Sequence, residues 1–144
     1  MSRGSAFAWL LPGFVVSVID AWLSMQSMVG IIQPKNILAF VAAVLLGMAL
    51  TAFAVLSPLW TTEYSPVFLH LIKYLLVIVD VGTSIIGAIW YGLMGQPLNR
   101  TVHFEEMHWA PSNWFATTLI VGFVVIVAWF CHMFGLAMRT LKTG

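Results

Sequence analysis

Charge is what this 144-residue chain has least of: 8% of its residues are Asp, Glu, Lys or Arg, against 61% hydrophobic. A soluble domain carries about 25% charged residues. The shortfall excludes an ordinary water-soluble globule and a disordered chain. The basic residues Arg3, Lys35, Lys73, Arg100, Arg139 and Lys142 are scattered, and the net charge is +1. No basic run exists to neutralise phosphates or grip anionic lipid heads, which argues against a nucleic-acid partner. A single cysteine, Cys131, permits no internal disulfide. In its apolar run it reads as a small packing residue. A Gly-rich phosphate loop, a Gly-x-Ser-x-Gly elbow and a His-Glu-x-x-His pair are all missing. No hydrolytic or redox motif is recognisable, so the chain reads as a non-enzyme, and its residues carry no family motif.

What is present is apolar length. A bilayer core about 30 Å thick takes about 20 helical residues to cross. Four stretches reach that length, at 7–31, 37–60, 66–94 and 113–138. They leave no room for a soluble domain, so residues 1–144 read as one membrane domain. The first stretch is too long for a signal-peptide core, contains Asp20 and lacks a small-residue cleavage site, so it reads as a retained helix. Pro12 is expected in its first turns, where proline is tolerated. The links at 33–36 and 61–65 are short, which makes successive helices antiparallel neighbours. Only the polar link at 95–112 is long.

The predicted fold class is therefore all-α: a polytopic membrane protein with four transmembrane helices in an antiparallel up-down bundle, both termini on the same side. Arg3, Arg139 and Lys142 lie on the terminus-bearing side with Lys73 near it, against Lys35 and Arg100 on the other. That balance places the termini in the cytoplasm. Trp9 and Trp60 fall near one membrane surface, and Trp90, Trp109 and Trp114 near the other, as an interfacial belt. Trp22 and Trp129 fall deeper, as packing or lipid-facing residues.

Helices in lipid associate through small residues and interhelical hydrogen bonds rather than by hiding apolar side chains. Small or polar residues at three- and four-residue spacing therefore mark the contact faces. Span one carries Gly13, Ser17, Asp20, Ser24 and Ser27. Span two carries Ala39, Ala43, Gly47 and Thr51. Span three carries Asp80, Ser84, Ala88 and Gly92, with Lys73 and His70 further back. Span four carries Ala128, His132, Gly135 and Arg139, with Gly122 and Thr118 further up. These stripes are expected to face inward, and one left outward would mark contact with another subunit.

Asp20 and Asp80 are the leading candidates for chemistry. A charged carboxylate at mid-membrane costs at least about 2.5–3.5 kcal/mol, so each needs a proton or a partner. Ser17 and Ser24 flank Asp20, Ser84 follows Asp80 by one turn, and Lys73 precedes Asp80 by two. With these neighbours the acids form either an ion or proton path, or two polar latches that fix helix register. His70 and His132 come second: two imidazoles at matched depth suit a haem iron or a quinone head group. In the long link, His103, Glu105 and His108 offer a weak single-metal site. The alternative there is an amphipathic hairpin or short helix, with Val102, Phe104, Met107 and Trp109 dipping into the membrane.

The leading expectation is a non-catalytic membrane subunit. It assembles through its small and polar faces with copies of itself or with other membrane subunits, surrounded by lipid. The alternatives are an oligomeric ion or proton channel or transporter using Asp20 and Asp80, and an electron-transfer subunit holding haem or quinone at His70 and His132.

Overall fold

A computed structural model of the chain describes residues 1–107 and 114–144. The described chain is helical throughout: α1 Arg3–Ile32, α2 Ile37–Val55, a short α3 Ser57–Trp60, α4 Val67–Ala88 and α5 Trp114–Thr143. α4 runs on into a π-turn, Ile89–Leu93, and one 3₁₀ turn, Phe104–Glu106, interrupts the following loop. Four of the helices are long and apolar enough to cross a membrane: α1, α2, α5 and α4 with its π-turn.

Capping chemistry sets the ends. Ser2 opens α1 by accepting the Ser5 amide at 3.2 Å, and Asn36 opens α2 by accepting the Ala39 amide at 2.8 Å. Both are preferred N-cap types because a short side-chain oxygen satisfies an orphan helix amide. Gln33 closes α1 in the left-handed region at φ 50°, its own amide bonded to the Val29 carbonyl at 3.0 Å, and Pro34 follows it. That is a helix stop of the αL kind.

Three details differ from the expected spans. α1 begins at Arg3, so Pro12 lies well inside the helix, not in its first turns. It withholds the amide that would bond the Ala8 carbonyl. The second apolar stretch is not one helix. It breaks after Val55, and a new turn starts at Ser57 with Pro58 in its opening positions, where a missing amide is harmless. The third stretch widens into the π-turn at its end, closed by Gly95 at φ 64°.

α1 is the hub. It packs extensively against α2 and α5 and also against α4, whereas α4 and α5 touch each other far less. Close approach depends on missing side chains. A Cβ at Gly47 would stand 2.6 Å from the Met25 Cα, so α2 can only lie this near the α1 backbone with glycine there. Gly135 does the same for α5, whose backbone faces the Val55 carbonyl and the Pro58 ring at the α2–α3 break.

The buried residues follow the predicted stripes on three helices. Gly13, Asp20, Ser24 and Ser27 are buried on α1, Ala43, Gly47 and Thr51 on α2, and Asp80, Ser84 and Ala88 on α4. On α5 the buried face is rotated. Val124, Val127, Cys131 and Gly135 point in, while Thr118, Gly122 and His132 are exposed. Cys131, Val55 and Val127 form an apolar knot with Val16 and Phe134. Outward faces are Leu, Ile, Val and Phe, as at Leu11, Leu38, Leu75 and Phe115.

The aromatic residues also depart from a simple belt. Trp90 is 0% exposed. Trp9 meets the deeper Trp129 edge-on, centroids 5.1 Å apart, and Trp22 lies 4.8 Å from Tyr91. Trp109 lies outside the described residues.

Candidate functional site

Asp20 and Asp80 come together at the centre of the bundle. They are 3% and 5% exposed and sit on different helices. Each carboxyl is served by hydroxyls from across a helix boundary. Thr51 of α2 and Ser24 of α1 both donate to Asp80 Oδ1, at 2.6 and 3.0 Å. Ser84 of α4 donates to Asp20 Oδ1, and the Cys131 thiol of α5 to Asp20 Oδ2 at 3.5 Å. The two carboxyl groups are electrostatic neighbours.

On one side of the acids the contacts are sealed. Ser24 and Thr83 share a hydrogen bond at 2.9 Å, and Thr83 also lies 2.8 Å from the Asp80 carbonyl. Ser27 bonds the Thr83 carbonyl at 2.6 Å, tying α1 to α4. Leu23 lies directly against Gly87.

On the other side lies a cavity of about 290 Å³ in the loose seam between α4 and α5. Asp20, Asp80, Ser84 and Cys131 line it together with Lys73 and His132. Its remaining walls are mostly apolar, among them Val77, Val81 and Val124. Lys73 and His132 are electrostatic neighbours. Among the described residues Lys73 stands in no ion pair, and its ammonium lies 5.8 Å from the Tyr74 ring centre.

The candidate residues of the sequence thus fall into two groups. Asp20, Asp80, Ser24, Ser84, Lys73 and His132 meet at one bonded cluster or its cavity. The serines are exchanged relative to their sequence neighbours: Ser24 serves Asp80, and Ser84 serves Asp20. Ser17 instead lies 2.7 Å from the Gly13 carbonyl and 3.5 Å from the Cys131 sulfur. His70, half-buried on α4, is not part of the cavity lining. Sequence reasoning missed Thr83, and it did not connect Thr51 or Cys131 with the acids. Thr51 was visible as the polar member of the α2 stripe. Nothing in the sequence marked Cys131 as an acid's partner.

The loop after α4 forms a separate polar cluster. Arg100 pairs with Glu106 at 2.6 Å, bonds Gln96 at 2.9 Å and lies over the Trp90 ring at 5.4 Å. The Gln33 amide donates to Glu105 at 2.6 Å, and Val102 is buried against Gly30 at the end of α1. The loop therefore docks on the helix ends through Val102, while Phe104 is exposed. His103 Nδ1 lies 3.6 Å from Glu105 Oε1. His108, the third residue of the candidate metal site, lies outside the described residues. Among the described residues, no three His, Cys, Asp or Glu side chains converge on a metal position.

No family model, curated protein or solved structure matches this chain.

Proposed function

We propose that the chain is a multi-pass membrane protein that takes up and releases a proton at the Asp20–Asp80 pair, as part of a proton-conducting or proton-coupled transport cycle. One observation carries the reading: two buried carboxyls on different helices that line one cavity. Buried ionisable groups in a span are expensive and mark ion or proton routes by default. The ligand set favours a proton over a metal ion. The side chains around the pair are hydroxyls and a thiol that donate to it, whereas a hard cation needs six or so oxygen lone pairs turned toward it.

The helices in this reading alternate across the bilayer as an antiparallel up-down bundle, with both termini on the cytoplasmic side. The Arg3 side chain beside Gly144 supports a common side for the termini. The outward apolar faces and inward polar seams support lipid as the surrounding medium.

Proton flux into liposomes, driven by a potassium-diffusion potential and read with a trapped pH dye, tests the proposal. Wild type should conduct, and Asp20→Asn and Asp80→Asn should each abolish flux. Unchanged flux in either variant contradicts the assignment.

A second reading, a non-catalytic subunit that assembles with copies of itself or with other membrane proteins, is favoured by α5. Gly122 and Thr118 face outward there, and a Cβ on Gly122 would meet nothing within 4 Å. A native mass spectrum of the detergent-extracted protein separates a monomer from an assembly.

A further inference from the structure

Lys73 is a cation in an apolar span with no carboxylate partner among the described residues, yet it faces the same cavity as the two acids. Seven residues separate it from Asp80, which places it about 10 Å along the helix from the pair. It is too far for a direct ion pair and close enough to share one cavity. His132 lies beside it and adds an imidazole to the same wall. Between these groups and the acids the lining includes the apolar Val77 and Ala128. A cavity of about 290 Å³ is at the small end of ligand sites, which run from about 300 to 1,000 Å³.

We infer that this cavity binds a small organic anion with a short apolar tail, its charged head on Lys73 and His132 and its tail against Val77 and Ala128, and that the anion enters together with one proton. This rests on the proton reading of Asp20 and Asp80. With one proton in the acid pair, the pair carries one negative charge and Lys73 one positive, so the cavity is neutral. An incoming anion adds an uncompensated negative charge inside an apolar span, where such charges are costly. A second proton on the acid pair restores neutrality. The ionisable groups facing the pair from the packed helices are Cys131 and His132 on α5 and Lys73 and Tyr74 on α4; α2 contributes only the neutral Thr51. No covalent step is involved.

The test is calorimetric titration of the full chain in lipid nanodiscs with butane-1-sulfonate, an anion that stays charged and does not cross bilayers as a neutral acid. Running it in two buffers of different ionisation enthalpy counts the protons taken up. Saturable binding with about one proton per anion is expected. Its affinity should weaken about tenfold per pH unit once that proton must come from solution. Lys73→Met should lose at least about tenfold in affinity, and Lys73→Arg should retain binding, which separates lost charge from lost folding.

Absence of binding to wild type, or equal binding by Lys73→Met, overturns the anion site. If that happens while Asp80→Asn still abolishes proton flux, the proton reading stands alone. If the sulfonate binds through Lys73 with no proton taken up, the coupling is overturned. If Asp80→Asn also conducts like wild type, the proton reading fails and an uncoupled anion site remains.

Discussion

Replacing Thr51 with valine tests the central cluster at its best-defined bond. Thr51 is 2% exposed, and its hydroxyl donates to Asp80 Oδ1 at 2.6 Å. Valine keeps the branched shape and removes the donor. A hydrogen bond to a charged group contributes about 1.5–3 kcal/mol, and interhelical bonds in membranes average about 0.6 kcal/mol. Asp80 keeps Ser24 on the same oxygen, so the acceptor is not orphaned and the upper end does not apply. A loss of about 1.5 kcal/mol follows if the pair carries charge. In an Asp80→Asn background the acceptor is a neutral amide, and the same change should cost only about 0.6 kcal/mol. The double-mutant cycle should therefore give a coupling of about 1 kcal/mol. Reversible unfolding by steric trapping in bicelles measures each corner. A Thr51→Val loss below about 0.3 kcal/mol, or one equal in both backgrounds, refutes a charged, hydroxyl-supported pair.

Two further outcomes follow from the packing. Gly47→Ala places a methyl 2.6 Å from the Met25 Cα, so α1 and α2 must separate, at a cost of about 1–3 kcal/mol in the same unfolding assay. Gln33→Ala removes the bond to Glu105 that ties the loop to the end of α1, so amide hydrogen exchange should quicken over 96–107 and stay unchanged in α2.

The four apolar helices were legible because bilayer-length runs are a strong signal and the short links carry prolines. The break at Leu56 was less so: a proline in an apolar run reads equally as a helix end or as the start of the next turn. Asp20 and Asp80 stood out as charges in spans. Their true hydroxyl partners did not, because spacing along one helix places Ser24 beside Asp20, whereas packing carries it to Asp80. The α5 face was misread for a related reason. In lipid, valine and glycine are both acceptable at a seam, so the small residues Gly122 and Thr118 did not have to be the buried ones. Val124, Val127 and Cys131 took that place because α5 leans on Val55 and the start of α3, a contact that depends on where α2 stops. Trp90 looked interfacial from its position near a span end. The π-turn and the returning loop, with Arg100 above the ring, enclose it instead.

The most direct test of the proton assignment is infrared difference spectroscopy of the protein in lipid across a pH titration, following the carbonyl stretch of protonated carboxylic acid. A protonated-carboxyl band that appears and disappears reversibly with pH, and that is weakened or shifted in both Asp20→Asn and Asp80→Asn, is the expected result. A band that stays constant over the whole titration would make the two acids permanent latches between helices and would contradict a proton site.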